Sequence, residues 1–116
     1  MKTVLMMDCK QKDIVIVNLY PKKGEEVEKI RPCIVLSDSL DNKELDTLIV
    51  VPLSTQLIDD VYPYRVRLKH RDKLKQESDV LINQLRTVSK KRVSEYISHI
   101  STEEYQQIKE ALCQMI

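Results

Sequence analysis

The sequence predicts a mainly β domain of α+β type: a small, strongly bent sheet or barrel followed by one C-terminal helix. Short β-branched apolar runs recur along the chain, each bounded by polar, turn-forming residues. A long polar connection follows the first run, and helical spacing of apolar residues is confined to the C-terminus. No glycine pattern of the Rossmann or P-loop kind accompanies any run. A chain of 116 residues fits one domain, residues 1–116. Trp and Phe are absent, so its core falls to Ile, Val and Leu.

The run "DIVIVNL", Asp13–Leu19, is continuously apolar in its middle and reads as a central strand. "YPKKGEEVEKIRP", Tyr20–Pro32, is the long connection and holds the only glycine, Gly24; connections of this length in compact domains are usually functional or mobile. "CIVLS" (Cys33–Ser37) and "TLIVVPL" (Thr47–Leu53) are two further buried strands, and the polar "DSLDNKELD" between them has loop composition. Pro52 is expected to end or kink the third strand. "YPYRVRLK", Tyr62–Lys69, alternates, with Tyr64, Val66 and Leu68 on a core face and Arg65, Arg67 and Lys69 on a basic one. "DVLINQLRTVS", Asp79–Ser89, supplies a strand or two, interrupted by Asn83 and Gln84 where a bend or an interface is expected. Ser101 with Glu104 forms a capping-box pattern, after which Tyr105, Ile108, Leu112 and Met115 recur at helical spacing, for a helix of roughly four turns.

No apolar run approaches the roughly 20 residues of a membrane helix. The N-terminal apolar stretch is too short for a signal peptide, so a cytoplasmic protein without a membrane partner is expected. Three cysteines, Cys9, Cys33 and Cys113, lie far apart with no CxxC pair and no histidine at zinc spacing. Neither a disulfide framework nor a metal or cofactor is expected, and Cys33 reads as a small buried hydrophobe. The net charge of +1 conceals an uneven distribution. Residues 65–92 hold ten Lys and Arg against three acids, a local +7, while the other nine basic and fifteen acidic residues give −6. Such a segment attracts polyanions or forms a solvated charged face.

There is no HExxH, GxSxG or DxD pattern, so metal-assisted and triad chemistry lose their support. Candidates come instead from Arg, Ser and Thr. In "KIRPCIVL", Pro32 fixes its own φ and biases Arg31 toward an extended conformation, presenting a guanidinium at a rigid strand entrance. Such a group can hold a phosphate through two parallel hydrogen bonds. In "VVPLSTQ", Ser54 and Thr55 follow where the third strand leaves the core. Spacing alone favours the ordinary roles, Arg31 as a surface ion-pair partner and the two hydroxyls as loop caps.

The order "DIVIVNLYPKKGEEVEKIRPCIVLS", "LIVVPLST", "VLINQLRTVSKKRV" and a terminal helix closely resembles the MazF/PemK (Kid) family of toxin endoribonucleases, from about Lys12 to about Leu112. Its most specific parts are Pro21 with Gly24 and Glu26, the Arg31-Pro32 pair, and "QLRT" from Gln84 to Thr87. The resemblance implies an SH3-like barrel (MazF/CcdB-like) with a C-terminal helix, assembled as a homodimer. It also implies the toxin half of a type II toxin–antitoxin pair, a sequence-selective endoribonuclease that cuts single-stranded mRNA without metal, leaving 2′,3′-cyclic phosphate and 5′-hydroxyl ends. A cognate antitoxin would wrap over the same surface. By position Arg31 matches the catalytic arginine, Ser54 falls where many members carry the catalytic threonine, and Thr55 is its neighbour. Arg31 is assigned to stabilising the phosphorane and protonating the leaving oxygen, with Ser54 or Thr55 as its hydrogen-bonding partner. Substrate contacts fall to Lys22, Lys23, Glu26, Asn83, Gln84 and Arg86.

Some positions depart from the family pattern. Gln11-Lys12 replaces the usual Arg-Gly before the first strand, "VEKI" replaces the glycine-rich tip before Arg31, and Leu81 and Asn83 stand where PemK-like members carry an arginine and an aspartate. Asn83 cannot serve as a carboxylate base. An alternative is therefore a catalytically weak or inactive barrel that binds protein or nucleic acid without cutting, and gyrase-poisoning relatives of the same fold form a third reading.

Overall fold

The computed structural model describes residues 8–20 and 29–116. Among these described residues seven strands form one antiparallel, strongly bent sheet: β1 (Asp13–Tyr20), β2 (Lys29–Val35), β3 (Thr47–Ser54), β4 (Arg65–Leu68), β5 (Ser78–Leu81), β6 (Arg86–Ser89) and β7 (Val93–His99). Their order is β4-β5-β3-β2-β1-β7, with β6 also on β3. The two ends, β4 and β7, do not pair, so the sheet is barrel-like without closing. A short helix α1 (Ser39–Glu44) precedes β3, and α2 (Thr102–Cys113) ends the chain.

The apolar runs are continuous because the middle strands are buried on both faces. One core gathers Ile14, Ile34, Val51, Leu53, Leu68 and Ile82 beneath α2, which contributes Ile108 and Ala111. The other gathers Val15, Val17, Cys33, Val35, Val50 and Val88 on the opposite face. Alternate residues of β1, β2 and β3 thus feed different cores. Replacing fully buried Ile108 by Ala costs about 3 kcal/mol.

Strand β3 does not stop at Pro52. Residues 47–50 pair with β6, Leu53 and Ser54 pair with β5, and Pro52 lies between the two ladders, where a missing N–H is tolerated. Opposite that gap, Ile82–Gln84 form a 3-10 turn, the bend expected at Asn83 and Gln84. Strand β2 begins at Lys29 rather than Cys33, and Arg31 and Pro32 pair with Val17 and Ile16 inside the ladder. The fourth strand is only Arg65–Leu68, because Val61–Tyr64 form a turn closed by the Tyr64 N–H to the Val61 carbonyl at 2.8 Å, and Tyr64 is exposed.

The segment expected as loop contains α1, capped by the Asp38 side chain. Buried Asn42 anchors it to the Cys9 and Ser37 carbonyls. The capping box of Ser101 and Glu104 is formed, and α2 has twelve residues, nearer three turns than four. Lys12, where the family pattern has glycine, adopts φ 82°, the left-handed region glycine favours. It is held there by the Lys12 N–H to the Val35 carbonyl and the Ile100 N–H to the Lys12 carbonyl, both at 2.9 Å. No described helix is long and apolar enough to cross a membrane.

Candidate active site

Arg31 projects from β2 half-buried, and its Nη1 donates to the Leu53 carbonyl at 3.1 Å. That bond ties the guanidinium to the end of β3, one residue before Ser54. Among the described residues no carboxylate pairs with it. Arg31, Ser54 and Thr55 line one cleft of about 560 Å³, joined by Lys73, Lys75 and Gln76 from the β4–β5 connection. Ser54 is partly buried and its Oγ accepts the Gln56 N–H at 3.2 Å, while Thr55 is exposed. The loop-capping role that spacing allowed for Ser54 is therefore present, and it fixes the oxygen at the cleft wall. The described lining of this cleft carries no acid. Its chemistry is cationic and hydrogen-bond donating, suited to a phosphate.

Gln84 and Arg86 stand in a neighbouring cleft of about 620 Å³ with Tyr20, Lys29 and Pro52. Asn83 is exposed on the 3-10 turn and lines neither cleft. Lys22, Lys23 and Glu26, with Pro21 and Gly24, lie outside the described residues. Cys33 is fully buried, and burial pushes its thiol up to about 12, which removes it as a nucleophile at neutral pH. Among the described residues no group of three His, Cys, Asp or Glu side chains converges.

A third cavity, about 700 Å³, surrounds Asp79 at the β4–β5 end. Asp79 is 1% exposed, accepts the Ile58 N–H at 2.9 Å, and pairs with Arg65 at 3.0 Å and Arg67 at 2.6 Å. Burial alone would raise its carboxyl, but the Ile58 amide and the two arginines outweigh it and hold the group below its usual range. Arg65 also donates to the Gln56 carbonyl, and Arg67 to the Ile58 carbonyl and Asp59. Asp79 faces Ser54 across the β3–β5 ladder, so this cluster clamps the loop that leaves Ser54 and Thr55. The basic face expected on β4 is in large part neutralised.

Residues 10–116 match the family described as PemK-like, MazF-like toxin of type II toxin–antitoxin system. The chain belongs to that family. An Endoribonuclease MazF of Staphylococcus saprophyticus is 28% identical over 101 residues, covering 86% of this chain and 84% of that one. The fold matches a MazE–MazF crystal structure from Deinococcus radiodurans with a TM-score of 0.78 at 20% identity, covering 94% of this chain and 96% of that one. It also matches a mycobacterial endoribonuclease in complex with its cognate antitoxin, with a TM-score of 0.69 at 18% identity, covering 94% and 93%. Within this MazF-like frame, sequence reasoning missed Tyr20, Lys29, Lys73, Lys75 and Gln76. The lysines belong to charged runs whose members look alike until the β4–β5 turn carries two of them over the Arg31 cleft.

Proposed function

We propose that this MazF-like toxin endoribonuclease, one toxin domain over residues 1–116, cuts single-stranded RNA in the cleft between β2 and β3. The observation that carries this is the convergence of Arg31 and Ser54 in one cleft whose described lining carries no acid, with the guanidinium fixed on the Leu53 carbonyl. In the proposed reaction the ribose 2′-oxygen attacks the adjacent phosphorus and loses its proton to water. The P–O5′ bond breaks, and the departing oxygen takes up a proton from water. The products are a 2′,3′-cyclic phosphate and a 5′-hydroxyl.

The remaining donors of Arg31 face the negative charge that builds on the phosphorane, and a planar guanidinium can grip two of its oxygens. The Arg31 guanidinium offers several N–H donors in a rigid fork, so its contribution is charge stabilisation. Ser54, or Thr55 beside it, donates to the same oxygens. Since the substrate supplies its own nucleophile, no metal is required. The position of Asn83 outside both clefts supports a reaction that makes no use of a carboxylate there.

The chain works in the cytoplasm, where its RNA substrate is found, as a homodimer held by a cognate antitoxin. The antitoxin complex among its structural relatives supports that partner. Exposed apolar Ile49, Leu85 and Ile116 supply surface for self-association. Incubation of RNA with the purified chain in excess EDTA, followed by mapping of both ends, tests the reading. Undiminished cleavage with cyclic-phosphate and 5′-hydroxyl ends is expected. Loss of cutting with rescue by magnesium or manganese overturns the mechanism, and a monomer by light scattering at micromolar concentration overturns the dimer.

A further inference from the structure

We infer that Tyr20 is the stacking platform of a single-nucleotide subsite next to the Arg31 cleft, a place the chain reserves for one unpaired base of its RNA. The inference rests on the cleavage reading above and adds a specificity-determining residue to it.

Tyr20 ends β1, and a bulge puts it there. The ladder pairs Asn18 with Ile30 but Tyr20 with Lys29, so one extra residue sits on β1 and the regular alternation is broken. A bulge of this kind re-aims the side chain that follows it. Leu19 remains in the core while its carbonyl accepts a hydrogen bond from Arg92 Nη1 at 3.2 Å, which fixes the backbone behind the ring. The ring is therefore set on a rigid strand end.

Two cations attend it. The Arg86 guanidinium lies 5.1 Å and the Lys29 ammonium 5.8 Å from the ring centroid. Yet Tyr20 is still 46% exposed, so ring surface is left open at the wall of the 620 Å³ cleft. An aromatic ring flanked by cations is the arrangement that binds single-stranded nucleic acid, because a base stacks on the ring while its phosphates meet the charges. Gln84 and Thr87 line the same cleft and offer groups that can hydrogen-bond a base edge.

The location ties this subsite to the chemistry. Lys29 and Arg31 are two residues apart on β2, about 6.6 Å along the strand and on the same face. Pro52 lines the Tyr20 cleft, and the next residues of β3, Leu53 and Ser54, line the Arg31 cleft. A strand of RNA with its scissile phosphate at Arg31 then places a nearby base at Tyr20.

The test uses the full chain. Wild-type protein first maps a cut site in an RNA pool, and a short RNA spanning that site, with 2′-deoxyribose at the cleaved nucleotide, serves as an uncleavable probe. Probes abasic at each successive position are then titrated against wild type, Tyr20→Phe, Tyr20→Leu and Tyr20→Ala. Tyr20→Phe should bind as wild type. Tyr20→Ala, and Tyr20→Leu, which keeps apolar bulk without a π face, should bind about 5- to 150-fold more weakly. The abasic penalty should disappear at one position near the cut and persist at the others. If the variants fold, cut and give an unaltered abasic profile, Tyr20 is only a strand-end staple and the subsite is overturned alone. An RNA pool left intact by the wild-type chain overturns the cleavage reading, and the subsite with it.

Discussion

Two groups of arginines stand about strand β3, and they are bound in opposite ways. On the β5 side, Arg65 and Arg67 close on buried Asp79 and on the carbonyls of the loop beyond Ser54. On β2 and β6, Arg31 is tied to a carbonyl and Arg86 rests on an aromatic ring, and among the described residues neither meets a carboxylate. The first group is neutralised and holds the frame. The second keeps its full positive charge at the wall of an open cleft. Counting charges along the chain ranks residues 65–92 as the basic region, yet Arg65, Arg67 and Arg71 all pair with acids, Arg71 with Glu104 at the start of α2. What distinguishes a binding arginine from a structural one is the partner the fold places beside it.

The largest effect should come from the unneutralised side. Arg31→Lys keeps the charge but loses the planar fork, so cleavage should fall by about 100- to 1,000-fold while the melting temperature stays near wild type. End-labelled RNA cleavage measured with thermal denaturation checks both halves. Wild-type rates in a folded Arg31→Ala variant would return Arg31 to the role of a surface cation.

Asp79→Asn should show the reverse pattern. It leaves two arginines around a neutral side chain in a buried site, and removing one partner of such a cluster costs about 3 kcal/mol. Urea denaturation should report that loss, with cleavage by the folded fraction affected far less than in Arg31→Lys. A stable but inactive Asp79→Asn variant would erase the distinction between the two groups.

Acid should weaken the neutralised frame next. Hydrogen bonds from Arg71 hold the Glu104 carboxyl down at about 2, and Asp79 also lies below its usual range. A carboxyl lowered by folding binds fewer protons in the folded state. Its stabilisation is complete above the unfolded value, about 4, and is lost as pH falls through the folded one. Melting temperatures should therefore stay level from about pH 7 to pH 5 and drop between about pH 4 and pH 2. Arg71→Met should flatten part of that drop.

Lys73→Ala is expected to give the smallest effect and the sharpest contrast. Its ion pair with Glu95 spans 3.7 Å between exposed groups, so stability should change by less than about 0.5 kcal/mol. Because Lys73 also lines the Arg31 cleft, RNA affinity should fall and the salt dependence of binding should lose about 0.7 in slope. An unchanged slope would remove Lys73 from the RNA path.

The sequence by itself determined the mainly β class, the strands around Val15, Ile34 and Val50, and the capped C-terminal helix. Each is fixed by local periodicity or by a capping pair, which neighbouring residues carry without help from the rest of the chain. Together with the Arg31-Pro32 and "QLRT" signals, this was enough to point to the family. Strand β7 escaped notice because register shifts in its ladder with β1 break the alternation that marks a strand. Helix α1 escaped because its six residues look like loop and its anchor, Asn42, depends on the distant Cys9 carbonyl. The tertiary structure alone decided that Arg31 and Ser54 share a cleft, that Lys73 and Lys75 overlook it, that Arg65 and Arg67 are neutralised, and that Tyr20 lies under Arg86. Those pairings join residues far apart in the chain, and no local pattern records which charge will meet which partner once the sheet bends.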